Sequence, residues 1–504
     1  FYNYLINSSF RTESDVVPYV MDLFRRLRNA TKEQQEPVIT LNLLFLLLSS
    51  LEDDINNFDF PKWGLPEMKI PAQLELYSST FKRGVMNIPP NLNTLLRHSA
   101  GVLFQEAQKE ILLFDPQMDL WSQFSNKLVT KKILYSSIHY TPAYLSRAIV
   151  EHTLKNLDFN QPNVKIFDPA CGSGEFLVEA LRQLDALGYL GIIEIIGWDS
   201  AQTAINTSNY LLTYEKRTIW GDRLNFQINL VEDSLSETWE KDFDFIFMNP
   251  PFVSWEHLSI KSRESLAATI GLNIKGKPNQ ASGFLAKAVE SIKQGGIVGS
   301  ILPTTILTLD TYTNVRSDIK EICDLLLVGK LGNFIFEDAL TDVSIVIAQK
   351  KHNSSLPLVI WTRNEKGAAK NALRDLRKMI ATNALAVEKN EYSIFTPETF
   401  PISKKSWRPI SISEVRILKD IKIFEAKERL VPVSKIFDVK QGVRTGKNSA
   451  FIISEKDLND LPSTEWKYFR PILNNDSIFN SKIIVKEFIW YPYEIGRASC
   501  RERV

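Results

Sequence analysis

The segment KIFDPACGSGEFLV, residues 165–178, joins a short apolar strand to an acidic residue, a glycine turn and an apolar helix. The strand is predicted over Val164 to Phe167, and apolar residues three and four positions apart indicate a helix from Phe176 to Leu184. An α/β sheet presents nucleotide-like ligands at the carboxyl end of its first strand in this order. Gly172 and Gly174 lack a Cβ, so the backbone can approach a ligand closely there. The segment alone is a weak signal, because Gly-x-Gly turns occur in many loops.

Polar residues follow three further predicted strands. Asp199 follows the second strand, Asp233 the third, and Asn249-Pro250-Pro251-Phe252 the fourth. A single aspartate in such a position is more often a helix cap or a turn residue than a ligand. Because the carboxyl ends of parallel strands meet at one edge, three aspartates in this order favour a shared binding site.

The motifs DPACGSGEF, IIGWD, VEDS and NPPF, in this order, resemble those of the S-adenosylmethionine-dependent amino-methyltransferases of DNA that act on N6 of adenine. The resemblance covers residues 140–350 and, more loosely, the C-terminal third. It implies S-adenosyl-L-methionine as the cofactor and double-stranded DNA with a flipped adenine as the partner. The cofactor-binding residues that it implies are Tyr140, Thr141, Asp168, Ala170, Gly172, Gly174, Asp199 and Asp233.

The parts of this cofactor call for different protein groups. Asp168 is suited to accept charge-assisted hydrogen bonds from the ammonium end. Asp199 occupies the place at which such sheets bind ribose hydroxyls, and Asp233 is assigned to the exocyclic amine. In the resembled family a Tyr-Thr-Pro turn, here residues 140–142, packs against the methionine part, although an ordinary capped helix explains the same residues.

The NPPF motif is expected to hold the reacting base. Adenine N6 is a poor nucleophile because its lone pair is delocalised, so two acceptors, the Asn249 side-chain oxygen and the Pro250 carbonyl, would draw it towards tetrahedral geometry. Pro250 and Pro251 restrict the backbone that carries these acceptors. Phe252 offers an aromatic face to a base swung out of the duplex. Asparagine at the first position favours adenine, whereas aspartate or serine would leave cytosine N4 more open.

A second aromatic residue beside the base is implied by the resemblance in the stretch NFIFEDALTDVSIVIAQK. Phe336 is the assigned residue and Phe334 competes with it. A place in the buried core explains Phe336 equally well.

Alternating strands and helices predict an α/β fold with a doubly wound, Rossmann-like sheet and an N-terminal helical region. The resemblance implies that this sheet is a methyltransferase domain and that a truncated C-terminal α+β target-recognition domain follows it. After the first strand, the predicted strands are 192–198, 226–231, 243–248, 296–302, 325–328 and 343–348. Helices are expected over residues 201–214 and 282–293. The expected domains are a helical region (1–132), the methyltransferase domain (133–352), a linker or helical connection (353–430), the start of the recognition domain (431–493) and a non-native tail (494–504).

The charge is unevenly distributed along the chain. Residues 351–493 carry 25 Lys and Arg against 16 Asp and Glu, whereas residues 1–350 carry a net charge of −9. This asymmetry favours a catalytic body joined to a module that grips a polyanion, with chance segregation of solvated charges as the alternative. Arg444, Lys447 and Asn448, beside flexible glycines, are candidates for contacts to phosphates or base edges. A plain turn between two strands also explains those glycines.

Composition excludes several classes of protein. The 504 residues are 44% hydrophobic and 24% charged, as in an ordinary globular protein. The three cysteines are too far apart to suggest a disulfide framework or a zinc site, so a reducing cytoplasm and no metal are expected. LNLLFLLLSS, residues 41–50, is too short to span a membrane and is interpreted as a buried helix.

Three functions remain from the sequence. The first is a sequence-specific DNA adenine-N6 methyltransferase of a restriction-modification or phage-defence system, with a restriction or specificity subunit as a further partner. The second is a methyltransferase acting on RNA or on a glutamine side chain of a protein, since these enzymes share Asn-Pro-Pro-aromatic motifs. The third is a non-catalytic DNA-specificity subunit, against which the complete set of site residues argues.

Overall fold

The computed structural model describes residues 13–31, 37–84, 87, 89–101, 103–104, 106–107, 141–155, 157–271, 276–336, 341–351, 356–382, 384–401, 406–427, 431, 433–438, 445, 448–474, 477–479 and 482–491. The chain divides into two compact units, Phe1–Leu418 and Lys419–Val504.

A ten-stranded sheet organises the first unit, in the order β3-β2-β1-β4-β5-β7-β6-β8-β10-β9. The strands are β1 Asn163–Asp168, β2 Ile192–Asp199, β3 Leu224–Leu230, β4 Phe243–Met248, β5 Ile292–Pro303, β6 Asp324–Gly332, β7 Val343–Gln349, β8 Leu358–Thr362, β9 Ala386–Glu388 and β10 Tyr392–Phe395. Strands β1 to β5 pair in parallel, while β7 runs antiparallel between β5 and β6. The predicted doubly wound α/β sheet is confirmed.

Helices cover both faces of this sheet. The longer helices of the first unit are α1 Glu13–Ala30, α2 Pro37–Ser49, α3 Gln73–Arg83, α4 Ala143–Leu154, α5 Glu175–Ala186, α6 Gln202–Glu215, α7 Ile260–Ile270, α8 Ala281–Ser291, α9 Thr313–Ile322 and α10 Ala368–Thr382. Successive strand residues enter opposite cores: Ile166 belongs to the core that includes residues of α4, α5, α6 and α10, whereas Phe167 belongs to the core that includes residues of α8 and α9. Because side chains alternate along a strand, this two-sided core requires apolar residues on both faces.

The central strands are buried on both faces, which is why apolar residues dominate their sequences. All six residues of β4 are buried, and its Phe245 and Ile246 belong to the two different cores. Several predicted bounds differ from those of the structure by one to four residues. For example, the helix expected over 282–293 ends at Ser291, and Ile292 starts β5 by pairing with Phe243. The boundary is set by pairing with a neighbouring strand, and the spacing of apolar residues along a helix gives no information about such pairing.

The N-terminal helices pack against α6. Ser49 and Tyr210 share a buried hydrogen bond of 3.0 Å between their hydroxyl oxygens. Trp63 stacks on Tyr210 with ring centroids 5.9 Å apart, and the Arg97 guanidinium donates to Glu215 at 2.9 Å. Residues 41–48 are buried within α2, as the sequence predicted. The described part of the helical region is therefore continuous with the core of the first unit.

The sheet continues beyond residue 352, where the sequence had indicated a linker or helical connection. Strand β8 pairs in parallel with β6, and β10 pairs antiparallel with both β8 and β9. Helix α10 packs against α4 on the same face, and Arg377 of α10 forms an ion pair with Glu151 of α4. The linker assignment failed here because strands β9 and β10 are short and add little hydrophobic pattern to the sequence.

The second unit contains two small antiparallel sheets. One has the order β11-β15-β12, formed by Ile452–Ser454, Glu487–Trp490 and Phe469–Ile472. The other is a hairpin of β13 Ile478–Phe479 and β14 Lys482–Ile483. Helix α11, Ile412–Ala426, crosses the boundary between the units. Among the described helices, none combines the length and the apolar character needed to cross a bilayer.

Candidate active site

The loop after β1 forms the floor of the candidate site. Asp168 ends β1, is only 1% exposed, and accepts a hydrogen bond from the Ala170 N–H at 3.0 Å. The Cys171 N–H donates to the Trp198 carbonyl at 2.8 Å, which fastens the loop to the end of β2. Helix α5 begins at Glu175, directly behind the loop. The loop therefore lies at the carboxyl edge of the parallel strands, where such sheets bind ligands.

Two glycines of this loop occupy left-handed conformations. Gly172 has φ of 54° and Gly174 has φ of 78°, values that side-chain-bearing residues rarely adopt. A Cβ on Gly174 would lie 3.0 Å from the Ser208 Oγ. A Cβ on Gly172 would meet no atom within 4 Å, so it would project into open space. That open space above the Gly172 backbone can accept a ligand.

Asp199 fixes the loop from the end of β2. Its Oδ2 accepts from the Gly172 N–H at 2.9 Å, and its Oδ1 accepts from the Ala201 N–H at 2.9 Å. Burial raises the pKa of Asp199. Burial, with a further contribution from the Asp199 charge, also raises the pKa of Asp168 well above its usual range. Two carboxyl groups so close together in a buried site favour a cationic ligand.

Asp233 lies in the loop after β3. Its Oδ1 accepts from the Leu235 N–H at 3.1 Å, and the neighbouring Ser234 hydroxyl donates to the Pro169 carbonyl at 2.7 Å. The loops after β1 and β3 are therefore in direct contact. Each of the three aspartates thus accepts a hydrogen bond from the backbone two residues on, the turn role that the sequence had left as an alternative.

Asn249 follows the last residue of β4 and is joined to the start of α4. Its side-chain amide nitrogen donates to the Thr141 hydroxyl oxygen at 3.1 Å. Pro142, which follows Thr141, has φ of −62° and ψ of 136°, so the chain enters α4 from an extended residue. Strands β1 and β4 are parallel neighbours. The NPPF motif and the glycine loop consequently follow adjacent strands at one edge of the sheet.

Phe252 contacts Phe336, whose ring lies edge-on to it with centroids 6.1 Å apart. Phe336 is 7% exposed, whereas Phe334 is 50% exposed. Of the two aromatic candidates, Phe336 is therefore the one that lies beside NPPF. The segment after Phe252 is held in turn by the Gln280 N–H, which donates to the Val253 carbonyl at 2.9 Å.

The other sequence-predicted residues divide between two groups. Tyr140, Arg444 and Lys447 lie outside the described residues. Asn448 begins a short helix, Asn448–Phe451, in the second unit, and its side chain pairs with the Thr445 hydroxyl.

Two serines that the sequence analysis had not singled out support the site. Ser208, from the buried face of α6, donates to the Gly172 carbonyl at 2.9 Å. Ser234 bridges two loops, as described above, and is 7% exposed. Ser234 could have been noticed because it directly follows Asp233, but nothing in the α6 sequence marks Ser208. Burial raises the pKa of the neighbouring Cys171 thiol well above its usual range, which disfavours the nucleophilic thiolate.

Part of the positive charge after residue 350 forms ion pairs inside the first unit. Lys389 contacts Asp375 at 2.6 Å, and Arg416 contacts Glu388 at 2.9 Å. Arg377 is paired with Glu151 of α4, and Arg408 contacts Glu414 at 3.3 Å. Three of these pairs use carboxylates that the net charge of residues 351–493 already counts, so only the pair of Arg377 with Glu151 reduces the charge excess seen in the sequence.

Comparison with known proteins gives a consistent picture. The model of the family described as N-6 DNA Methylase matches residues 122–395. The type II methyltransferase M.AccI of Acinetobacter calcoaceticus is 22% identical over 321 residues, covering 62% of this chain and 52% of that protein. The modification methylase CviBIII of Paramecium bursaria Chlorella virus NC1A is 26% identical over 228 residues, covering 45% and 53%. The chain spans about half the length of these relatives.

Among solved structures, the type IIL restriction-modification enzyme MmeI in complex with DNA matches with a TM-score of 0.52 at 14% identity. The match covers 94% of this chain and 70% of that one. At this identity the likeness concerns the fold alone.

Proposed function

Because the chain belongs to the N-6 DNA methylase family, we propose that it transfers a methyl group from S-adenosylmethionine to the N6 amino group of adenine in a specific DNA sequence. We place this reaction in a restriction-modification or phage-defence system, in which a restriction or specificity subunit would be a further partner. The observation that carries the proposal is that Asp168 ends β1 and Asn249 follows β4, its parallel neighbour, at the same edge of the sheet.

The residues of the glycine loop fit this cofactor. Gly172 leaves open space where a Cβ would stand, and two buried carboxyl groups with raised pKa values lie beside it. Such carboxyl groups gain from a cationic partner, and the cofactor carries an ammonium group and a sulfonium. Asp168 would accept from the ammonium group, Asp199 from ribose hydroxyls and Asp233 from the exocyclic amine. Asp199 already accepts two backbone N–H groups, so it would serve as both a loop brace and a ligand.

When bound, the cofactor supplies an electrophilic methyl group on positively charged sulfur. The protein's own task is to orient the acceptor nitrogen. The Asn249 Oδ1 and the Pro250 carbonyl would each accept one N6 hydrogen, which localises the nitrogen lone pair for attack. Catalysis by this site rests on positioning and not on prior deprotonation, because the N6 protons of neutral adenine are too weakly acidic for a protein base to remove. As the N6–methyl bond forms and the sulfur–methyl bond breaks, N6 becomes cationic and then releases one proton to solvent.

The adenine would reach this site outside the helical stack. Phe252 and Phe336 form two walls of an aromatic corner directly after Asn249. Stacking of a base on an aromatic side chain is worth about 1–3 kcal/mol, which offsets part of the cost of unpairing it. Every base has an aromatic face, so this corner grips the flipped base while the acceptors of Asn249 and Pro250 select an exocyclic amine.

The acceptor is identified by a labelling experiment. The protein is incubated with methyl-labelled S-adenosylmethionine and, in separate reactions, unmethylated duplex DNA, structured RNA or a release-factor protein. We expect label in DNA, recovered as N6-methyladenine after digestion to nucleosides. Label confined to cytosine N4, to RNA or to protein, or label in none of them, would contradict the proposal.

A further inference from the structure

Thr141 and Asn249 are 108 positions apart in the chain and meet at the candidate site. Thr141 lies immediately before Pro142 and α4, and Asn249 lies immediately after β4. The amide nitrogen of Asn249, and not its amide oxygen, faces the Thr141 hydroxyl, at 3.1 Å. The Asn249 Oδ1 is consequently directed away from Thr141.

The direction of this amide decides what Asn249 can do. A carboxamide has one acceptor end and one donor end, and rotation of its terminal bond by half a turn exchanges them. The N6 group of adenine offers two N–H donors, so only the Oδ1 end can receive it. A reversed amide would oppose N–H to N–H and would leave the amine without its acceptor.

The N-terminal end of α4 is well fixed for such a task. Leu145 and Ile149 of α4 are fully buried in the core. The Leu145 N–H donates to the Pro142 carbonyl at 2.8 Å, which anchors the turn that carries Thr141. The hydroxyl is therefore held on a rigid element, as an accurate positioning group requires.

We infer that Thr141 is a positioning residue whose hydroxyl holds the Asn249 amide with Oδ1 towards the amine of the substrate base. This inference rests on the proposed adenine-N6 methyl transfer. It gives Thr141 a task that is separate from cofactor contact, since the hydroxyl acts through Asn249. Threonine and serine can perform it, and valine, which has nearly the same shape, cannot.

The test compares Thr141→Val with Thr141→Ser in the same protein. The rate of methyl transfer is measured in a single turnover, with unmethylated duplex DNA and S-adenosylmethionine both saturating. Loss of acceptor alignment should slow Thr141→Val by about 10- to 100-fold. The Thr141→Ser protein should stay within about threefold of the unmodified protein, and cofactor affinity and thermal stability should change little in both variants. Thr141→Ala, which also lacks the hydroxyl, should be slowed like Thr141→Val.

A second background separates amide orientation from other effects. The carboxylate of Asn249→Asp presents an acceptor oxygen in either orientation, so its function does not depend on which way the side chain is turned. Adding Thr141→Val to Asn249→Asp should therefore cost much less than it costs alone, which is the signature of coupled residues. An equal fold-loss in both backgrounds would overturn the inference. Should Asn249→Asp transfer no methyl group at all, the valine and serine comparison decides.

The outcomes distinguish the inference from the proposed function. If the unmodified protein forms no N6-methyladenine, the proposed function fails. If it does so and Thr141→Val matches its rate, only the role of Thr141 is refuted. A slower Thr141→Val whose loss is fully explained by weaker cofactor binding would refute that role too, and would make Thr141 a cofactor contact.

Discussion

The rings of Phe252 and Phe336 meet edge to face, with centroids 6.1 Å apart and planes inclined at 66°. Phe252 follows β4, and Phe336 lies between β6 and β7, so 84 residues of chain separate the two rings. Phe252 packs against both cores of the sheet. The contact thus brings an aromatic pair to the edge that also carries Asn249.

Replacing Phe336 should weaken the grip on the flipped base. Phe336→Leu keeps most of the buried apolar volume and removes the aromatic face, which is worth about 1–3 kcal/mol per stacked base, or about 5- to 150-fold in the methylation rate. Phe334→Leu is the matched control, because Phe334 is the same residue type two positions away and is 50% exposed. The measurement is the rate at which each variant methylates unmethylated DNA at a subsaturating DNA concentration. Equal rates for the two variants would remove Phe336 from the base site.

Asn249→Ala should abolish methyl transfer and leave cofactor binding largely intact. Losing one preorganised polar partner of a reacting group costs about 100- to 1000-fold in rate. Titration calorimetry with S-adenosylmethionine measures binding, and incorporation of label into DNA measures transfer. Asn371→Ala, on the exposed side of α10, is the control for a generic asparagine substitution. Near-normal turnover by Asn249→Ala would refute its role.

Asp168→Asn should raise the stability of the cofactor-free protein and lower its affinity for the cofactor. The raised pKa of Asp168 means that the folded protein holds this proton more tightly than the unfolded chain, so ionisation costs stability as the pH rises from the unfolded pKa through the folded one. Asparagine removes that cost and still accepts from the Ala170 N–H. We expect the melting temperature of the cofactor-free protein at pH 8 to rise by about 2 °C. Affinity for S-adenosylmethionine should fall at least about tenfold, through loss of a charge-assisted bond.

The control for this trade is Asp222→Asn, at an exposed position outside the site. It should leave both cofactor affinity and melting temperature unchanged. A drop in stability for Asp168→Asn would show that the buried carboxylate stabilises the free protein, contrary to the sign derived from its raised pKa.

Gly172→Ala should block the cofactor without unfolding the protein. Gly172 and Gly188 both have positive φ, and a Cβ at either position would meet nothing within 4 Å. Alanine at either position costs about 1–2 kcal/mol of backbone strain. Only at Gly172 does the added methyl group enter the proposed cofactor site. We expect weakened cofactor binding for Gly172→Ala alone, with similar melting temperatures for Gly172→Ala and Gly188→Ala. If both variants bind the cofactor equally weakly, backbone strain and not blockage of the cofactor site explains the effect.

Removing residues 419–504 should weaken DNA binding in a salt-dependent way. Each phosphate contact that is lost flattens the dependence of the binding constant on salt. The cut follows the boundary between the two units; a cut at residue 350 would also remove β8 to β10 from the sheet. The binding constant for a DNA duplex is measured at several salt concentrations for both proteins, and their melting temperatures show whether the shortened protein is folded. An unchanged salt slope would assign DNA contact to the first unit.

The sequence determined the sheet and its ligand edge. Strands β1, β2 and β4 are mainly buried and mainly apolar, and their carboxyl ends are visible in the sequence as Asp168, Asp199 and Asn249. Parallel strands place such ends at one edge, which is why the order of the motifs alone located the candidate site. The short strands β9 and β10 left no comparable pattern, and their place in the sheet came only from the pairing of β10 with β8 and β9.

Only the tertiary structure decided which distant side chains meet. It selected Phe336 over Phe334, joined Thr141 to Asn249, and set Ser208 beneath the glycine loop. It also showed that several cations after residue 350 are already paired with nearby carboxylates. Sequence periodicity specifies the face that a residue presents within its own helix or strand, whereas contacts between elements depend on how those elements pack.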